Sequence, residues 1–259
     1  MSDHGRMQVP GPDVASALAD EPEVNPHFSR RVTSFRARRS TISDKQQATW
    51  DRLWPELGRQ ARDDAQTGPA EPLDTEAWFG RHAPVILEIG CGTGTSTLAM
   101  AQAEPDLDVI AVEVYRRGLA QLLSAIDRAS VTNIRLIRGD GVDVLTHMVA
   151  PQSLTGVRVF FPDPWPKARH HKRRLLQPAT MALIADRLRP GGVLHAATDH
   201  QGYAEQIAEV GDAEPRLRRI GADRDPGTLP ISVSRPATKY EIKALAGTDV
   251  AELLWEKAP

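Results

Sequence analysis

From residue 85 onward the chain alternates short apolar runs with helix-length segments, and this rhythm most limits what it can fold into. VILEI (85–89), DVIAVEV (108–114), IRLIRG (134–139), VRVFF (157–161) and GVLHAAT (192–198) read as buried strands. Between and after them lie helical segments near 95–103, 115–129, 141–149, 175–189 and 201–210. Strand and helix alternating at this pace predict an α/β fold with a doubly wound, mostly parallel sheet. Past residue 215 the pattern weakens, and a closing strand pair near 216–220 and 252–256 is the expectation there. The chain has 259 residues, 41% of them hydrophobic, enough for one large domain with a real core.

The segment before this core divides by charge. Residues 1–28 hold five acids (Asp3, Asp13, Asp20, Glu21, Glu23) and one arginine among prolines and alanines, with no periodic apolar face. They read as a disordered tail. Residues 30–45 reverse the sign, with Arg30, Arg31, Arg36, Arg38, Arg39 and Lys45 against Asp44 alone. Ser43 followed by Gln46 forms a capping-box pattern, and Trp50, Leu53, Trp54 and Leu57 fall on one helical face, so a short helix should start near residue 44. Pro55 and Gly58 should end or kink it, and residues 62–76 read as a polar connection. The expected division is an extension over 1–42 and the α/β domain over 43–259.

Several function classes lose support on composition. No apolar run approaches the ~20 residues that span a bilayer, and the start MSDHGRMQVPGPD lacks the basic and apolar parts of a signal peptide. A cytoplasmic location with no membrane association is expected. A single cysteine, Cys91, cannot form an internal disulfide, and no ligand cluster suggests a metal. His170 and His171 lie in a basic string that would repel a cation.

In an open parallel sheet, ligands bind beyond the carboxyl ends of the strands. The first strand ends there in Glu88-Ile89-Gly90-Cys91-Gly92-Thr93-Gly94. Its glycines allow a tight turn and close approach to a ligand. The third falls at 94, earlier than in the dinucleotide pattern G-x-G-x-x-G, and with Glu88 two residues before the first, this favours S-adenosylmethionine over NAD. Glu113 ends the second strand, where a carboxylate can accept ribose hydroxyls. Asp140 ends the third, within reach of an adenine amine, and also suits a helix N-cap. Cys91 has no base beside it in the motif, so it reads as a small lining residue rather than a nucleophile.

After the fourth strand comes FFPDPWPKARHHKRR (160–174), a single carboxylate caged by prolines and a tryptophan and followed by a basic string. Phe161-Pro162-Asp163-Pro164-Trp165-Pro166-Lys167, with Arg169-His170-His171-Lys172-Arg173-Arg174, resembles the tRNA (guanine-N7)-methyltransferase family. Ser34-Phe35-Arg36, Ala197-Thr198-Asp199 and Arg235-Pro236-Ala237-Thr238-Lys239-Tyr240-Glu241 agree. The resemblance covers roughly 33–257 and implies a Rossmann-like fold and methyl transfer from S-adenosylmethionine to N7 of a guanine in the tRNA variable loop.

By motif position it implies a cofactor site of Glu88, Gly90, Gly92, Gly94, Glu113, Asp140 and Asp163, with Asp163 also the catalytic residue. Substrate contacts are implied for Lys167, Asp199, Thr238, Lys239, Tyr240 and Glu241, and RNA-backbone contacts for Arg169, His170, His171, Lys172, Arg173 and Arg174. His171 departs from the family's usual Asn. The expected partner is tRNA, and either a monomer or a homodimer is compatible. A small-molecule methyltransferase has no use for two basic clusters. An RNA-binding protein that had lost catalysis would show erosion of Glu88, Gly90, Gly92 or Asp163, and all are present.

Overall fold

The computed structural model describes Met1 and residues 41–61, 72–236 and 249–259. Thr238, Lys239, Tyr240, Glu241, the arginine-rich segment 30–39 and the acidic segment 2–28 lie outside the described residues.

Helix α1 (Asp44–Leu57) starts where the capping box places it: the Ser43 hydroxyl accepts from Gln46 N, and Gln46 reaches back to Ser43 N. Of the two residues expected to end or kink it, Gly58 ends the helix, its N–H donating to the Trp54 carbonyl, while the helix runs through Pro55. A proline removes one donor, and in the last turn the remaining bonds suffice to carry the helix two residues further. Trp50 and Trp54 stack at 4.0 Å, and Arg116 lies 4.7 Å above Trp50.

The elements then run β1 (Gly58–Gln60), α2 (Thr75–Phe79), β2 (Val85–Ile89), α3 (Thr95–Ala103), β3 (Asp108–Glu113), α4 (Arg116–Ala129) and β4 (Ile134–Arg138). They continue with α5 (Gly141–His147), β5 (Leu154–Phe160), α6 (Pro178–Arg187), β6 (Leu188–Thr198), α7 (Gln201–Asp212), β7 (Leu217–Arg219) and β8 (Ala251–Lys257). One sheet holds all eight strands in the order β1-β4-β3-β2-β5-β6-β8-β7. Pairing is parallel from β1 to β6 and antiparallel where β8 meets β6 and β7. The expected closing pair is therefore present. Two elements go beyond the expectation: β1, three residues of sequence GRQ, and α2, which sits at the end of the stretch read as a polar connection.

Alternate strand residues feed the two faces. On β3, Ile110 and Val112 join the larger apolar cluster with α5, α6 and α7, while Val109 and Ala111 pack with α1 and α4. A sheet buried on both faces explains why its strands read as continuous apolar runs. From β2 the chain builds outward to β3 and β4, then returns to place β5 on the other side of β2. That reversal opens a crevice at the carboxyl ends of β2 and β5, where both Gly90–Gly94 and Asp163 emerge.

Candidate functional site

The turn after β2 is shaped by its glycines. Gly90 (φ 81°) and Gly92 (φ 57°) take left-handed conformations, and a Cβ built on either meets no protein atom within 4 Å. The backbone here borders open space, so the glycines keep a cradle clear. Glu113, at the end of β3, fixes the cradle's shape: one carboxylate oxygen accepts from Gly92 N at 3.0 Å and the other from Tyr115 N at 2.9 Å. Burial raises its carboxyl above the ordinary value, opposed by these backbone hydrogen bonds. Gly118 on α4 completes the fit, since an added Cβ would fall 2.1 Å from the Gly92 carbonyl oxygen.

Glu88 lies beneath the cradle. One oxygen accepts from the Thr97 hydroxyl at 2.9 Å, while Oε2 is buried without a partner. Burial raises this carboxyl as well, against the charge of Arg158 and the Thr97 bond. Burial, with the charges of Glu113 and Glu88, pushes the Cys91 thiol well up, which agrees with a lining role and not a nucleophilic one. Asp140 caps α5, accepting from Val142 N at 3.0 Å.

These groups converge. A cleft of about 430 Å³ is bordered by Gly90, Gly92, Glu113, Asp140, Phe161 and Asp163. Glu88 and Gly94 border an adjoining cavity of about 860 Å³ that shares Gly90, Gly92, Phe160 and Phe161 with the first. Every sequence-expected cofactor residue thus borders one or the other. Asp163 itself is exposed, on a loop with two strained residues, Phe161 (φ 50°) and Trp165 (φ 44°). For non-glycine residues each such conformation costs about 1–3 kcal/mol and persists only where its surroundings enforce it.

The basic string is less uniform than it reads. It forms a 3₁₀ turn over Ala168–Arg173, with Lys167, Arg169 and Lys172 exposed and Arg173 stacked 3.7 Å from the Trp165 ring centroid. His170 and His171 are half-buried, and Asp199 is exposed just after β6. Arg174 requires a correction. It is 4% exposed, and its guanidinium donates to the Pro164 and Gly202 carbonyls and to Gln206 Oε1, so it offers little surface to an RNA phosphate.

Two further residues carry structure that the motif reading missed. Arg158 on β5 and His195 on β6 stand beside Glu88 in one cross-strand row. Arg158 pairs with Glu104 at 2.6 Å, and His195 pairs with Glu252 at 2.5 Å. Arg235 in turn holds Glu252 at 2.8 Å. The signal was available: an arginine and a histidine inside runs that are otherwise apolar must be paired if buried. Among the described residues, no group of three His, Cys, Asp or Glu side chains could hold a metal ion, and no helix is long and apolar enough to cross a membrane.

A family model described as putative methyltransferase matches residues 82–252. Over its full length the chain is 77% identical to the tRNA (guanine-N(7)-)-methyltransferase of Mycolicibacterium gilvum (strain PYR-GCK), all of which is covered. The Mycolicibacterium vanbaalenii protein of the same name is 79% identical over 99% of each chain, and that of Mycobacterium avium (strain 104) 65% over 98% of this chain and 99% of its own. The chain belongs to the tRNA (guanine-N(7)-)-methyltransferase family. Among solved structures, the 16S rRNA methyltransferase KamB superposes with a TM-score of 0.50 at 15% identity, covering 74% of this chain and 97% of that one. At that identity the likeness speaks to fold alone, and it places this tRNA (guanine-N(7)-)-methyltransferase family member on the α/β methyltransferase architecture.

Proposed function

We propose that this chain transfers a methyl group from S-adenosylmethionine to N7 of a guanine in the variable loop of tRNA. The observation that carries the reading is full-length similarity to proteins of that name, joined to two adjoining cavities that gather Glu88, Glu113, Asp140 and Asp163 at the carboxyl ends of the strands. A cytoplasmic enzyme acting on free tRNA fits it.

The residues present suit the donor. Open space above Gly90 and Gly92 admits a ligand against the backbone, Glu113 has lone pairs left for ribose hydroxyls, and Glu88 Oε2 offers a buried acceptor without a partner. Asp140 stands where an adenine amine would be received. When bound, S-adenosylmethionine supplies a methyl group on a positively charged sulfur.

N7 of guanine presents an in-plane lone pair and carries no proton, so the acceptor needs alignment and not a general base. Asp163 is therefore a positioner. O6 and N7 are both acceptors and cannot pair with a carboxylate, but N1–H and the N2 amine can donate to it. Lys167, exposed four residues further on, suits O6. Methylation places positive charge on the purine, which the Asp163 carboxylate stabilises. Asp199 and the Thr238–Glu241 segment complete the proposed substrate contacts, while Arg169, Lys172 and Arg173, with His170 and His171, follow the RNA backbone. Incubating the protein with methyl-labelled donor and total tRNA, then digesting to nucleosides, tests the reading. Label in 7-methylguanosine is expected; label in another nucleoside, or none, refutes it.

A further inference from the structure

We propose that Arg174 and Arg235 are positioning residues for the methyl transfer, two buried guanidinium groups that hold the strained Phe161–Trp165 loop and so set where Asp163 stands. The inference rests on Asp163 being the residue that places the guanine. Its basis is the pairing of a strained loop with restraints at both ends. Phe161 and Trp165 occupy left-handed conformations on either side of Asp163, and two such residues hold their shape only under external constraint.

Arg174 grips the far side. Its Nε donates to the Pro164 carbonyl, one residue after Asp163, at 2.8 Å. The other end of the same guanidinium reaches α7, donating to the Gly202 carbonyl at 3.2 Å and to Gln206 Oε1 at 2.5 Å. The plane packs 4.8 Å from the Tyr203 ring centroid. This one side chain therefore ties the aspartate loop to a packed helix.

Arg235 grips the near side from a segment more than seventy residues away. Its guanidinium lies 4.9 Å from the Phe161 ring centroid and 5.5 Å from that of Phe160, the aromatic pair that borders both cavities. Its Nε and Nη2 both donate to Glu252 Oε1 on β8, while Glu252 Oε2 pairs with His195 on β6. The His195 ring meets Phe160 edge-on at 4.8 Å. The Arg235 side chain is 5% exposed, so it has little surface to offer a phosphate.

Arginine is needed at both places because a planar fork must bond and stack at once. Lysine keeps the charge and loses the fork. Arg174→Lys and Arg235→Lys should therefore each lower kcat at saturating tRNA by about 10- to 100-fold, the effect of a small displacement at the reacting centre. Dissociation constants for donor and tRNA should change by less than about threefold, because neither contact touches a ligand. The salt dependence of tRNA binding should stay at the wild-type slope. Glu252→Gln, which loosens the hold on Arg235 from another strand, should act in the same direction.

Wild-type kcat in Arg174→Lys or Arg235→Lys would overturn the proposal. So would weaker tRNA binding with a flatter salt slope and unchanged kcat, the mark of a phosphate contact. Should Arg174→Lys fail to fold, Gln206→Ala removes one of its acceptors while leaving the arginine, and carries the same expected and overturning results. Asp163→Ala measured alongside separates the two claims. If it is impaired while the arginine variants turn over normally, only the positioning role fails; if it turns over normally, the guanine-placing role fails and takes this inference with it.

Discussion

Glu88 and Asp163 are both carboxylates of the proposed site, and their surroundings give them opposite properties. Asp163 is exposed on a strained loop, able to meet a substrate that arrives from solvent. Asp163→Ala is expected to lower turnover by at least about 100-fold with donor binding less affected, read from single-turnover rates and donor titration. Glu88 is 2% exposed and its carboxyl is raised by burial, so the folded state holds the proton more tightly than the unfolded chain does. The stability linked to that proton is fully present below the ordinary carboxylate pKa and is lost as pH rises through the raised one. At neutral pH the buried Glu88 carboxyl is therefore less favourable to the fold than it is in acid. Glu88→Gln keeps an acceptor for Thr97 and removes the titrating carboxyl, so it should raise the thermal midpoint at neutral pH. The gain should shrink as pH falls toward about 4, while donor affinity drops at neutral pH. A lower midpoint at neutral pH would show that the attraction to Arg158 outweighs the burial cost.

The elements differ in how openly the sequence announced them. The strands from β2 to β6 were legible because a sheet covered on both faces needs uninterrupted apolar runs, and the glycine turn and Asp163 were legible because their residue types are costly anywhere else. β1 was not, since GRQ has no apolar pattern and becomes a strand only by pairing with Leu136, Ile137 and Arg138 of β4. The basic string, a 3₁₀ turn followed by Arg174, was legible as a charge cluster but not as a structure: six cationic or imidazole side chains look alike in sequence, yet Arg174 turns inward while Arg169 and Lys172 face solvent. That division changes what the element should do. Replacing Arg169 and Lys172 with Ala should flatten the salt dependence of tRNA binding by up to about 0.7 slope units per lost contact, with unchanged donor affinity and thermal midpoint. An unchanged slope would assign both to a solvated face with no phosphate contact.

For the whole molecule, charge is distributed so that the total says little. The formal net charge is -2, yet the proposed RNA-facing residues are basic and the acids of the first 28 residues stand apart from them in sequence. Helix α1 is capped from Ser43, so removing residues 1–42 leaves its first hydrogen bonds in place and, among the described residues, takes from the domain only the packing of Ile42 against the α1–α4 cluster. Among the first 42 residues, five arginines lie between 30 and 39 and one lies before them. If those five neutralise phosphates, deleting residues 1–42 should weaken tRNA binding clearly and reduce its salt slope. Deleting only 1–28 removes five acids and one arginine, so it should leave activity intact and tighten binding slightly at low salt, an effect that screening over a Debye length of about 8 Å erases at physiological ionic strength. Titrating both truncations with tRNA at two salt concentrations decides between these roles. Equal affinities would mean the arginine segment makes no phosphate contacts and that the basic 3₁₀ turn carries the electrostatic hold on its own.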